Sequence, residues 1–208
     1  MSPEERKALI CRAAACYERA GLTGNAAQCW EDGGEPARAA PLHRALGRLE
    51  QAALAHERAG QPGPAAECYA AAGNHAAALG CLVAAGQLLE AAWTAAHHLG
   101  RVAEARALLG RVEAEDELTR LSLALVRDRC ARRGEAVVAI ADAWPGLGLG
   151  APRLASWALA LAEAIDRPDL SAMLYAAMDG SPGVANAWES WAGDRLGDRA
   201  AARPEVSP

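Results

Sequence analysis

The sequence predicts an all-α protein, a solenoid of short antiparallel helical hairpins closed by a C-terminal helical cap. Three observations carry this. Gly21, Gly34, Gly47, Gly60, Gly73 and Gly86 recur every thirteen residues, and Gly100 follows one residue late. Between these glycines a phrase recurs, plainest in Ala13-Ala14-Ala15-Cys16-Tyr17-Glu18-Arg19-Ala20-Gly21 and Ala65-Ala66-Glu67-Cys68-Tyr69-Ala70-Ala71-Ala72-Gly73. The apolar content, 52% of the 208 residues, is mostly alanine and leucine with no phenylalanine, which favours thin, closely packed helices over a sheet sandwich. A fixed internal period means stacked repeats.

Ser2-Pro3-Glu4-Glu5 reads as a capping box: Ser2 is the N-cap, Pro3 opens the helix and Glu5 reaches back to the cap. This first helix runs to about Ala20, where Gly21 ends it by entering the left-handed region. Each later glycine is expected to end its own helix in the same way. With a unit written as thirteen positions ending on the glycine, positions five and six are small: Ala13-Ala14, Ala26-Ala27, Ala39-Ala40, Ala52-Ala53, Ala65-Ala66 and Ala91-Ala92. Position nine is larger, in turn Tyr17, Trp30, His43, His56, Tyr69 and Leu82. Position twelve returns to alanine at Ala20, Ala59, Ala72 and Ala85. Positions five, eight, nine and twelve make an i, i+3, i+4, i+7 stripe, the buried face of an amphipathic helix. Arg12, Glu18, Arg19, Gln28, Glu57, Arg58 and Glu67 fall outside the stripe and are expected to be solvated. A unit leaves about ten helical residues, too few for a stable isolated helix, so each must lean on its neighbours.

Beyond Gly100 the period is lost and helices continue. Arg101–Val112 keeps an echo of it, Glu115–Arg133 reads as a longer helix, and Glu135–Trp144 as another stopped by Pro145. The segment from Pro145 to Pro152 reads as a linker; its Gly-x-Gly-x-Gly string has no preceding strand and no following Lys-Ser/Thr, so it is no phosphate loop. Arg153–Asp166, Asp169–Met178 and Pro182–Leu196 complete the helices, and their Trp157, Tyr175, Trp188 and Trp191 predict a globular packing that caps the repeat. The expected organisation is a repeat region over 1–114, a capping region over 115–200 and a disordered tail over 201–208.

The phrase Ala14-Ala15-Cys16-Tyr17-Glu18-Arg19-Ala20-Gly21, repeated from Ala66 to Gly73, resembles the tetratricopeptide-like class of α-helical repeats, with a period of thirteen where the strict family has about 34. The resemblance covers about the first half of the chain and extends to the helical arms of coat and transport proteins and to accessory repeat proteins of bacterial ATPase and conflict systems. It implies a right-handed solenoid used for scaffolding. Twenty arginines against the single Lys7, with no phenylalanine, point to a GC-rich bacterial genome.

The net charge is −5, and only residues 101–133 are basic, eight Lys/Arg against six Asp/Glu. Arg127, Arg129, Arg132 and Arg133 precede Gly134, where cations favour a helix C-terminus; a nucleic-acid surface needs a broader basic stripe and stacking aromatics. The N-terminus begins with acids and lacks the apolar core of a leader, and Leu154–Ile165 is too short to cross a bilayer, so a cytoplasmic protein with no membrane contact is expected. Cys16, Cys29, Cys68 and Cys81 share position eight with Leu42 and Ala55, which makes them small buried apolar residues and not bridges or ligands.

No catalytic constellation is present: no Cys-x-x-Cys, no His-Glu-x-x-His, no Walker loop and no Gly-x-Ser-x-Gly elbow. His97-His98 reads as a helix C-cap, and His43 and His56 are placed to approach one another, Glu50 or Glu57. The expectation is therefore a non-catalytic interaction scaffold or adaptor, with no catalytic residue, metal or cofactor. It binds another protein or peptide, but no nucleic acid, through position-nine side chains Tyr17, Trp30, His43, His56 and Tyr69. The alternative is a small helical enzyme or ligand sensor with a pocket among Trp157, Trp188 and Trp191, using Glu163, Asp166 and Asp169 as acids.

Overall fold

A computed structural model describes residues 2–147, 151–178 and 184–196. The expected tail over 201–208 and the glycine string at 148–150 lie outside them. The described residues form helices and turns without a strand. They fall into two compact units, Met1–Arg101 and Val102–Pro208.

The first unit holds α1 (Pro3–Arg19), α2 (Thr23–Asp32), α3 (Pro36–Ala45), α4 (Leu49–Arg58), α5 (Pro62–Ala71), α6 (His75–Ala84) and α7 (Leu88–Trp93), the last continued by a π-helical turn, Thr94–His98. Each helix packs on the next in sequence. The Ser2 capping box is formed, with Glu5 N–H donating to Ser2 Oγ at 3.1 Å and Ser2 N–H to Glu5 Oε2 at 2.6 Å.

The thirteen-residue period is the length of one helix plus one joint. After α1, Gly21 takes φ 72°; its N–H donates to Glu18 O at 3.0 Å, and Leu22 N–H donates to Tyr17 O at 2.9 Å. This paired closure is the Schellman arrangement, which needs a left-handed residue at its centre. Leu22 then serves as the N-cap of α2. The same two bonds recur at Gly34, Gly47, Gly60, Gly73 and Gly86, always from the glycine and the residue after it, and all these glycines have positive φ. Ten helical residues, a C-cap, a left-handed glycine and a residue shared as the next N-cap make thirteen. Gly100 comes one residue late because the π turn absorbs the extra residue: Leu99 N–H donates to Thr94 O at 3.2 Å, an i→i−5 bond.

Positions five and six form the core. Ala26, Ala27, Ala39, Ala40, Ala52, Ala53, Ala65, Ala91 and Ala92 are completely buried. Position six thus belongs to the buried face, contrary to the expected stripe. Position twelve does not, because it is the C-cap, and Ala20 and Ala72 are exposed there. Position eight also divides: Cys68 and Cys81 are buried as expected, whereas Cys16 is exposed and Cys29 half-buried. Cys16 lies on the side of α1 opposite the buried Ala14.

The second unit holds α8 (Val102–Leu109), α9 (Glu117–Ala131), α10 (Glu135–Leu147), α11 (Pro152–Ala164), α12 (Pro168–Ala177) and α13 (Val184–Leu196). Its core is bulkier, with Leu125, Val126, Val137, Ile140, Leu161 and Leu174 buried. Pro145 does not stop α10, as the sequence reading expected, but lies inside its last turn, where only the bond to the carbonyl of Ala141 is given up. Asp128 joins α9 to α10: its buried carboxylate accepts from Ala136 N–H at 2.7 Å and lies 3.6 Å from Arg133 Nε. The α11–α12 joint repeats the grammar of the first unit with Asp166 in the glycine's place. Asp166 has φ 56°, its N–H donates to Glu163 O at 3.0 Å, Arg167 N–H donates to Ala162 O at 2.9 Å, and Arg167 is the N-cap of α12.

Two glycines seven residues apart separate conformation from space. No atom lies within 4 Å of a Cβ built on Gly73 or on Gly80, yet Gly73 has φ 78° and Gly80 lies in the interior of α6. Gly73→Ala is expected to destabilise the protein by about 1 kcal/mol through left-handed strain, and Gly80→Ala to stabilise it by about 0.5–1 kcal/mol through helix propensity. Chemical denaturation followed by circular dichroism reads both; equal shifts would contradict the joint.

Candidate functional site

Position nine is the third residue from the end of each helix, the one whose carbonyl receives the N–H from beyond the glycine. The joint therefore fixes where each of these side chains stands. Trp30, His43 and Tyr69 are buried, while Tyr17 and His56 are half-buried. Among the described residues these five make no ring contact with one another, and each has its own surroundings.

Trp30 lies under the Arg38 guanidinium, 3.5 Å from its ring centroid, so α3 covers α2 with a cation–π contact. His43 Nε2 is 3.4 Å from Glu31 Oε1, and Arg58 Nη1 reaches the same oxygen at 3.6 Å. The 3.4 Å approach lacks hydrogen-bond geometry, so neither nitrogen of this buried imidazole is satisfied. His56 Nδ1 meets Gln61 Oε1 at 2.8 Å. The two histidines thus take Glu31 and Gln61 as partners, not one another, Glu50 or Glu57.

Tyr69 has the fullest network. Its hydroxyl donates to Glu57 Oε2 at 2.6 Å, and Cys81 Sγ donates to Glu57 Oε1 at 3.6 Å. Glu57, exposed as expected, also joins α4 to α5 and α6. Burial, reinforced by the adjacent carboxylate, pushes the Tyr69 hydroxyl up to about 12 and the Cys81 thiol up to about 11. Sequence reasoning missed the rule behind both contacts. The glutamate at position ten of one helix meets the position-nine side chain of the next, as Glu31 meets His43 and Glu57 meets Tyr69. The signal was available in the glutamates at position ten, Glu31 and Glu57, whereas Glu18 at the same position pairs with Arg38 of α3 at 3.6 Å.

His97 and His98 belong to the π turn and not to a simple C-cap. His98 stacks on His75 at 3.9 Å between centroids, and His97 on Trp93 at 4.6 Å. Among the described residues no three His, Cys, Asp or Glu side chains converge as a metal site.

In the second unit Tyr175, Trp188 and Trp191 cluster with centroids 5.3–5.6 Å apart. Glu163, Asp166, Ser171, Trp191 and Arg195 line a narrow crevice that does not admit a water molecule. Ser171 Oγ is buried there without a partner. Asp169 is held by Arg167 through bonds of 2.7 and 2.5 Å, which keep its carboxyl below the usual range. Asp166 is nine-tenths exposed, 3.8 Å from Arg195. Compared with family models, with the curated proteins and with the solved structures, the chain matches none.

Two measurements follow from these environments. Under native conditions a maleimide is expected to label Cys16 rapidly and Cys68 and Cys81 only on unfolding, since burial shields both thiols and raises them; equal rates at all three would contradict the packing. Folded Tyr69 and Cys81 hold their protons at pH values where the unfolded chain, titrating near 10.0 and 9.0, has released them. The folded state then binds more protons, so stability is expected to fall as pH rises from about 9 towards 12. Urea midpoints across that range check the sign, and a rise would contradict it.

Proposed function

We propose that the chain is a non-catalytic scaffold or adaptor that binds another protein or peptide through the first unit. In this reading the first unit is a right-handed, tetratricopeptide-like solenoid of antiparallel hairpins, working as an accessory component of a multi-protein system in the bacterial cytoplasm. The repetition itself carries the proposal. One joint and one alanine core recur through α1 to α6, and such arrays present an extended surface whose side chains vary on a constant frame. Ion pairs between alternate helices support two rows: Glu18 of α1 with Arg38 of α3 at 3.6 Å, Arg44 of α3 with Glu67 of α5 at 3.9 Å, and Glu31 of α2 with Arg58 of α4 at 3.6 Å. Odd and even helices would then form the two layers of a solenoid.

Burial sorts the position-nine side chains into two jobs. Trp30, His43 and Tyr69 fill the space between helices, and Tyr17 and His56 keep surface for a partner. No helix of the described residues is long and apolar enough to cross a membrane.

The test places a photo-crosslinking amino acid at His56 in the full chain, expressed in its source cells, with exposed Asp142 as control position. A discrete protein adduct from position 56 and none from position 142 is the expected result. Tyr17→Ala should leave the melting temperature within a few degrees, whereas Trp30→Ala should lower stability by about 3–5 kcal/mol. Adducts of equal yield from both positions would contradict the reading.

A further inference from the structure

Helix α13 meets the second unit along one stripe. Trp188, Trp191, Ala192 and Arg195 fall at i, i+3, i+4 and i+7, while Asn186, Glu189, Ser190 and Asp194 off the stripe are exposed. The two tryptophans and Ala192 are buried in one cluster with the partly buried Ala172 and Tyr175 of α12. Ser171, Ala172 and Tyr175 share one face of α12, at i, i+1 and i+4, and Trp191 and Arg195 line the crevice at Ser171.

Three features set this closure near balance. Ser171 is 1% exposed, and its hydroxyl finds no partner among the described residues. A buried serine inside a helix can donate to the carbonyl four residues back, as the equally buried Ser122 of α9 does to Leu118 O at 2.7 Å. Ser171 does not, so closing α13 over it withdraws a hydroxyl from water without replacing its hydrogen bond, and opening restores it. Gly193 stands inside α13 with open space among the described residues where a side chain would be, so no packing offsets its poor helix propensity. The ion pair of Arg195 with Asp166, at 3.8 Å, joins side chains 44% and 90% exposed, where solvent screens most of the attraction. The tryptophans therefore carry the closure.

We propose that α13 is a displaceable strap that holds a docking face of α12 shut, the face being Ser171, Ala172 and Tyr175 and its occupant in the closed chain being α13 itself. The strap lies wholly in the second unit and does not rest on the scaffold reading of the first. Lifted off, thirteen residues that include a glycine do not keep a stable helix, so α13 opens and melts in one step while α9 to α12 stay folded. The open face offers an uncommitted hydroxyl beside an aromatic and a small side chain. It fits a partner helix with the same aromatic pair and a polar side chain that reaches Ser171 Oγ.

Native-state hydrogen exchange on the full chain tests the strap. The α13 amides are expected to exchange through an opening that leaves the amides of α9 to α12 protected. Ser171→Ala, which removes the stranded hydroxyl, should slow α13 exchange roughly tenfold, and Gly193→Ala about fourfold. Exchange of α13 only together with α9 to α12 overturns the proposal. So does a Ser171→Ala chain whose α13 exchange is unchanged, because the hydroxyl would then stay buried when α13 leaves. A fluorescein-labelled peptide of residues 184–196, followed by fluorescence anisotropy, tests the face. Saturable binding is expected to the full chain carrying Trp188→Ala and Trp191→Ala, and binding roughly tenfold weaker to the wild type, whose own α13 competes in cis. Equal binding to both chains, or none to the doubly substituted chain with α9 to α12 still protected, overturns the proposal as well.

Discussion

The first unit depends on a three-residue joint in which the backbone must turn left-handed once. In that conformation the glycine and its successor close back on the end of one helix, and the successor opens the next. A joint so short leaves no slack. Consecutive helices are held close, and positions five and six between them carry buried alanines, with Leu79 at position six of α6 the larger exception. The alanine core follows from the joint as much as from hydrophobicity, because a larger residue at Ala26, Ala39 or Ala52 would push apart helices that the turn holds close. The same closeness brings the end of one helix against the end of the next, which is why Glu31 and Glu57 at position ten meet His43 and Tyr69 at position nine.

The second unit uses the same physics less regularly. Asp166 stands where a glycine would, and its carboxylate sits in solvent near Arg195. Asp and Asn tolerate the left-handed region better than other side chains with a Cβ. The core of this unit is of leucines, isoleucine and tryptophans, and its joints vary in length, running over 110–116 between α8 and α9 and over 165–167 between α11 and α12.

Much of the fold could be read from residues alone because glycine at a left-handed position is a strong constraint with a visible spacing. The alanine pairs were equally plain. Four features were hidden for identifiable reasons. Asp166 was invisible as a joint because an aspartate in a polar stretch signals nothing. Pro145 was read as a stop because a proline's lost hydrogen bond is usually decisive, yet near a helix end the loss is small. The late Gly100 announced an extra residue without saying whether the loop or the helix would hold it, and the π turn shows that the helix does. Glu57 is exposed, as its place in the repeat predicts, but its contacts with Tyr69 and Cys81 arise between three helices, which the periodicity of a single helix does not reveal. Of the five candidate binding residues, the pattern located all at one repeat position but could not separate buried Trp30, His43 and Tyr69 from half-exposed Tyr17 and His56, because exposure depends on what each neighbouring unit carries.

The account rests on the amide that follows each repeat glycine, and native-state hydrogen exchange measures it directly. Leu22, Arg48, Gln61, Asn74 and Gln87 lie in what a sequence alone would call loops, yet each donates to the carbonyl of a position-nine residue at 2.8–3.0 Å. The account predicts that these amides exchange as slowly as the interiors of the helices they join and open together with them. Exchange at the rate of unprotected loop amides, with the helices themselves protected, would contradict it.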